Sequence, residues 1–289
     1  MVPDTRQCYK RNSLALSTNK MRILPRARAP MRLAAKDYVT AGNLLAGFAA
    51  AILGVQGRIF DAFLMFLAAL IFDLSDGVIA RLTRTQNSFG SSFDNVCDHM
   101  SWGIAPGFIL FGAYHPVFKG LWGDGPLAAA VTFSIASIPV LGASLRFARF
   151  NTYSYDTPGI WLGFPRPASA FAFVALVNSH FFEIGTELQL ATIPLLVFFG
   201  VLNVSTFPYP SHHHKGATPY FLWVYYGIFV SVFVGLLVCS VVVPLVPRAL
   251  AGDFAFLSMV CYALFSWSQI PKEDRIAARK QVEEAEASQ

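Results

Sequence analysis

Between positions 73 and 98 the chain sets Asp73, Asp76, Asp94 and Asp98 among long apolar runs, with Gly77, Arg81 and Gly90 at fixed intervals between them. Written as spacing, the run is D-x2-D-G-x2-A-R-x8-G-x3-D-x3-D. Residues three or four apart share one face of a helix, so Asp73 projects with Asp76, and Asp94 with Asp98. Charge at membrane depth is costly and normally serves a function. Carboxylates converging in a low-dielectric pocket repel one another, and a divalent cation is the usual remedy. An oxygen-only donor set favours Mg²⁺, Mn²⁺ or Ca²⁺ over zinc, and this many carboxylates can serve two ions.

The elements that must position these acids are membrane helices. The chain has 289 residues, 55% hydrophobic and only 13% charged, against a charged share of roughly 25% in soluble domains. The composition therefore predicts an all-α, polytopic bundle. Apolar stretches of spanning length begin near Tyr38, Ile59, Phe93, Pro126, Pro165, Leu188, Pro219 and Phe254, the fifth being the shortest. The runs from Ile59 to Phe72 and from Trp102 to Tyr114 flank the acids. A polar turn from Thr83 to Ser88 joins the two segments as an antiparallel hairpin that brings the acidic faces opposite each other.

Basic residues set the orientation. Arg6 through Lys36, Arg81, Arg84, Arg146, Arg149, Arg166, Lys215 and the tail basics fall on one side of the predicted topology, and only Arg58, Lys119 and Arg248 on the other. The positive-inside rule puts the N-terminus, the hairpin turn and the mouth of the acidic site in the cytoplasm, with the protein in the cell inner membrane. The net charge of +5 is then a topology signal with an attraction to anionic lipid. It does not mark a nucleic-acid binder, because the basic residues are spread over helix ends without an aromatic-basic platform.

The remaining features are blander. Cys8, Cys97, Cys239 and Cys261 lie far apart, which suggests neither zinc nor disulfides. His212, His213 and His214 are adjacent, a poor geometry for one ion, and read as a solvated loop. His99 is expected to pack or to donate behind Asp98. Residues 1–30 read as a basic, flexible arm without a signal-peptide core, with Met21 and Met31 as alternative starts. Residues 271–289 read as a charged cytoplasmic tail.

The acidic run keeps every spacing of the signature of the CDP-alcohol phosphatidyltransferase family, and the chain resembles that family over about residues 36–212. The resemblance implies a six-helix core over 31–212, with 213–270 as an additional transmembrane pair. It also implies transfer of a phosphatidyl group from a CDP-activated lipid to a hydroxyl with release of CMP, divalent metal ions and a homodimer. Carried onto this chain, Asp73, Asp76 and Asp94 become metal ligands, and Asp98 both touches metal and takes the proton of the hydroxyl. Gly77, Arg81, Asn87 and Gly90 fall in the CDP site. The two glycines would let the nucleotide approach the backbone, and Arg81 would pair with phosphate.

Other segments bear on the acceptor. Thr40-x2-Asn43, the run from Asp98 to Pro106, Arg146-x2-Arg149-x-Asn151, Gly163 to Ala168 and Ser205 to Pro210 resemble the serine-using branch of the family. Trp102 stands where that branch usually has Phe, Phe164 where it has Leu, and Pro208 where a basic residue is common; none is expected to touch the acids. The implied substrates are CDP-diacylglycerol and L-serine. Serine carries a carboxylate, which a guanidinium fork suits, so Arg146 or Arg149 is expected to grip it or the lipid phosphate, with Thr40, Asn43 and Asn151 in the substrate site. The rival readings are a phosphorylated acceptor such as glycerol phosphate or inositol phosphate, an ether-lipid donor, and a cation transporter. Transport would need polar residues through to the outer face, where both hairpin segments are apolar.

Overall fold

A computed structural model describes residues 33–83, 88–152, 159–210, 220–243 and 245–287. The expected arm at 1–30, the turn carrying Arg84 and Asn87, and His212 to His214 lie outside the described residues.

The first helix, α1 (Ala35–Val55), starts where the Asp37 carboxylate accepts the Ala34 N–H at 2.8 Å, a side chain reaching back to the cap. A tight turn with Gly57 at φ 75° returns the chain into α2 (Ile59–Thr83), which packs along α1. Next come α3 (Ser88–His99), one π-helical turn (Met100–Ile104) and α4 (Ala105–Trp122). The π turn has a local cause: Pro106 has no N–H to give the carbonyl of Trp102, and the Ala105 N–H bonds back to Met100. The break falls directly after Asp98. Helix α5 (Pro126–Thr152) packs back on α4.

Close approach, not side-chain bulk, joins α1 to α4. A Cβ placed at Gly112 would lie 1.7 Å from the Gly54 carbonyl oxygen, so the two backbones touch.

Helix α6 (Arg166–Val177) is buried on every side from Ser169 to Val177. Phe171 meets Phe63 and Phe66 of α2 at 6.2 and 6.4 Å between ring centres. The chain then runs through α7 (His180–Glu183), α8 (Thr186–Ala191) and α9 (Ile193–Val204), followed by α10 (Tyr220–Val242) and α11 (Ala249–Phe265). Phe233 of α10 packs on Phe171 at 5.5 Å, and α11 lies along α6, so the C-terminal pair seals the short helix.

Among the described residues five stretches are long and apolar enough to cross a membrane: Ala35–Val55, Ile59–Thr83, Pro126–Thr152, Thr186–Val204 and Ala249–Gln269. An apolar helix lies at each of the other expected positions, but α6 has only 12 residues. At about 1.5 Å per residue it falls well short of a ~30 Å hydrocarbon layer, so the fifth predicted span does not cross alone. Large side chains such as Leu45, Phe48, Leu74, Phe133 and Leu141 point outward, as a lipid solvent allows.

A two-stranded sheet and a tail packed against it lie at the end that carries the acids. Residues Ile160–Leu162 (β1) pair antiparallel with Pro208–Pro210 (β2), Trp161 opposite Tyr209. The charged tail forms α12 (Lys272–Ala287), and Ala278 and Val282 are buried against Ile160 and Leu162. The tail therefore covers this small sheet with one apolar stripe while its other faces stay polar.

Candidate acidic active site

Helices α2 and α3 bring one carboxylate oxygen each from Asp73, Asp76 and Asp94 to within 4.8 Å of one another. The Thr40 hydroxyl of α1 donates to Asp76 Oδ2 at 2.7 Å. Asp94 Oδ1 is buried without a hydrogen-bond partner. A buried, unpartnered carboxylate oxygen inside an all-oxygen triad is what a hard divalent cation would satisfy, so these residues fit one.

Asp98, one turn beyond Asp94, lies against Asp73 rather than inside the triad. Its two oxygens are held from opposite sides. The Trp102 indole N–H donates to Oδ1 at 3.1 Å, and Arg166 Nη2 reaches Oδ2 at 3.4 Å. Trp102 thus does touch an acidic residue, contrary to the sequence expectation, and a phenylalanine there would have no N–H to give.

The expected substrate residues fare differently. Gly77 is open, with only Arg81 Nη1 near it at 4.0 Å from a would-be Cβ, and Arg81 is exposed one turn further along α2. The space beside Gly90 is already filled, because a Cβ there would lie 2.5 Å from Lys36 Nζ and 2.6 Å from Asp37 Oδ1. Its missing side chain admits that buried pair, whose separation is 3.4 Å. Thr40 is occupied by Asp76. The Asn43 side-chain oxygen accepts from Ser101 at 2.7 Å, while its amide nitrogen is buried without a partner.

Arg146 and Arg149 make structural contacts that local sequence patterns do not record. Arg146 Nη1 donates to the carbonyls of Leu162 at 2.6 Å and Asn203 at 3.2 Å. Arg149 donates through Nη1 to Val204 at 2.5 Å and through Nη2 to Leu162 and Ser205, both at 3.0 Å. Where α9 ends and β1 closes, carbonyls are left without helical partners, and the two guanidiniums satisfy them. Both arginines staple the sheet to α5, and Arg146 also stands on the wall of the cavity beside Asp98.

Beside Asp98 a cavity of about 320 Å³ opens between α3, α5 and the start of α6, with Asn95, Arg146, Asn151, Trp161 and Arg166 on its walls. Asn95, Phe147 and Asn151 also border a larger groove of about 830 Å³ that runs past His99 and Ser144. His99 Nε2 lies 3.1 Å from Ser144 Oγ and its Nδ1 is buried without a partner, so it packs behind α3, away from the triad. Sequence reasoning missed Lys36, Asp37, Asn95, Trp161 and Arg166. The buried row Lys36, Asp37, Thr40, Asn43 on one face of α1 was the available signal.

A helical integral-membrane protein with an oxygen-only acidic centre at the meeting of two helices is the class these observations define. The chain belongs to the CDP-alcohol phosphatidyltransferase family, whose sequence model matches residues 35–207. It is 27% identical over 233 residues to a CDP-diacylglycerol–serine O-phosphatidyltransferase of Methanocaldococcus jannaschii, covering 79% of this chain and 90% of that one. The protein of the same name from Helicobacter pylori is 31% identical over 180 residues, 61% of this chain and 71% of its own. An archaetidylserine synthase of Methanothermobacter thermautotrophicus is 26% identical over 193 residues, 64% and 73% of the two chains. Family membership sets the transporter reading aside.

Proposed function

We propose that the protein transfers the phosphatidyl group of CDP-diacylglycerol to the hydroxyl of L-serine and releases CMP, at the cytoplasmic face of the inner membrane. The observation that carries this reading is the convergence of Asp73, Asp76 and Asp94, with Asp98 beside them at the wall of a small cavity. The names of the relatives support serine as acceptor.

Asp73, Asp76, Asp94 and Asp98 would hold divalent ions, Mg²⁺ or Mn²⁺ and two in number. Such ions supply charge neutralisation for the diphosphate and for the departing CMP. The remaining work falls to the chain. Thr40 fixes the orientation of Asp76, and Trp102 and Arg166 fix that of Asp98. Arg81, on the exposed turn beyond Gly77, meets the diphosphate, with Gly77 and Asn87 beside the nucleotide. The serine oxygen attacks the phosphorus that bears the diacylglycerol. A new O–P bond forms as the bond to the bridging diphosphate oxygen breaks, and CMP leaves with that electron pair. The hydroxyl proton passes to Asp98.

A second reading, with an ether-lipid donor and the same acceptor, has its own support in the archaetidylserine synthase relative. The family resemblance also implies a homodimer, which cross-linking in membranes would test. The deciding assay is CMP release by the purified protein with CDP-diacylglycerol, Mg²⁺ or Mn²⁺ and a panel of alcohols. Serine-dependent release is expected, abolished in Asp98→Asn with donor binding kept. Release dependent only on a phosphorylated alcohol would overturn the serine assignment.

A further inference from the structure

One turn of α1 reaches both helices that carry the acids. The Thr40 hydroxyl donates to Asp76 of α2 and lies 3.1 Å from the Lys36 carbonyl one turn back. Lys36 itself extends to α3. Its Cε and Nζ lie across Gly90, where a Cβ would come within 2.8 and 2.5 Å of them, with Asp37 Oδ1 at 2.6 Å from the same point. Both residues are buried, Lys36 at 9% exposure and Asp37 at 1%.

The pair is fixed in place. Asp37 Oδ2 accepts the Ala34 N–H at the start of α1. Its Oδ1 is buried without a hydrogen-bond partner, and the Lys36 ammonium at 3.4 Å is the positive charge set against it. Gly90 and Asp94 are four residues apart and so share one face of α3. The charge of Lys36 acts on Asp94, whose Oδ1 is likewise buried and unpartnered. The lysine therefore sits where a small displacement of α3 is felt directly by an acid of the triad.

We infer that Lys36 is a positioning residue for the acidic centre, seated in the gap that Gly90 leaves and holding α3 where Asp94 meets Asp73 and Asp76. The inference rests on the reading of that triad as a cation site. It gives Gly90 a task at the contact between α1 and α3. An alanine there requires Lys36 to retract and Asp37, tied at its other oxygen, to move. Pushing α3 away from α1 carries Asp94 out of the triad.

The test is a double-mutant cycle of Gly90→Ala, Lys36→Ala and the two together, reading saturable Mn²⁺ binding by electron paramagnetic resonance beside the KM for CDP-diacylglycerol. Each single variant should weaken Mn²⁺ binding at least about tenfold, the scale set by groups that orient metal ligands. Removing a positive charge beside a cation site would by itself tighten binding, so a loss in Lys36→Ala marks positioning. The two losses should not multiply, because deleting the lysine side chain clears space for the alanine methyl. Unchanged or tighter Mn²⁺ binding in Lys36→Ala, or a double variant weaker than both singles, would overturn the inference. So would Gly90→Ala with wild-type Mn²⁺ binding and a raised KM for CDP-diacylglycerol alone, which would leave Gly90 to the nucleotide. Wild type gives a reading even if a variant does not fold: an amine-reactive label should modify Lys36 far more slowly than the exposed Lys272 and Lys280, and equal labelling would contradict the seat. No saturable Mn²⁺ binding by wild type would overturn the cation reading itself, and this inference with it.

Discussion

At the scale of single residues, a guanidinium's job is decided by what its nitrogens already hold. Arg146 is 4% exposed and joins Leu162 and Asn203, residues far from it in sequence. Removing it leaves buried carbonyls short of a donor, at roughly 1–3 kcal/mol for each orphaned group. Arg146→Met should therefore lower the melting temperature in detergent markedly while the folded fraction keeps the wild-type KM for serine. A raised serine KM with unchanged melting would return Arg146 to the substrate site. The acids themselves were legible because i, i+3 and i, i+4 spacing survives folding unchanged. The arginine targets were not, since Arg149 bonds to Val204 and Ser205 across more than fifty intervening residues and no local pattern records that. Trp102 shows the same limit. Expected not to touch the acids, it carries an N–H that only the turn after Asp98 aims at the carboxylate.

At the scale of elements, helix positions could be read from hydropathy, while lengths and partners could not. Helix α6 has the composition of a span but is closed in by α2, α10 and α11, so its all-round apolarity reflects burial in protein instead of in lipid. The pairing of β1 with β2 leaves no mark in the sequence, because three-residue strands, one of them with two prolines, have no periodicity to detect. The contact of α1 with α4 leads to a sharp expectation. Gly112→Val forces a side chain into the Gly54 carbonyl, and the variant should lose expression or melt at least several degrees lower. A wild-type melting curve would show that these helices do not touch.

The C-terminal pair is tied to the core through a second device. His180 of α7 meets Asp253 of α11 through both its backbone N–H, at 2.8 Å, and its ring Nδ1, at 2.5 Å. That hydrogen bond, with Glu183 nearby, raises the imidazole above its ordinary value. A raised folded value means the bond stabilises fully below the unfolded value near 6.5 and loses its effect as pH climbs through the folded one. Melting in detergent should fall between pH 6 and pH 8, and Asp253→Asn should flatten that slope. An equal slope in the variant would assign the pH dependence elsewhere.

At the scale of the whole molecule, the bundle places its polar chemistry at one end. The buried row of α1, the acids of α2 and α3, the arginines of α5 and α6, the small sheet and the covering stripe of α12 all meet there. The flanks of the long helices present apolar side chains outward. Such an arrangement lets a lipid-borne donor reach a water-borne acceptor without drawing either through the membrane, and it makes the whole account depend on the acidic triad acting as a cation site. Counting bound Mn²⁺ by electron paramagnetic resonance on the purified protein, wild type against Asp94→Asn, tests that dependence most directly. Wild type should bind Mn²⁺ saturably and release it to Mg²⁺, with affinity falling at least about tenfold in the variant, a loss of ~1.4 kcal/mol. Indistinguishable Mn²⁺ binding by the two proteins would contradict the account.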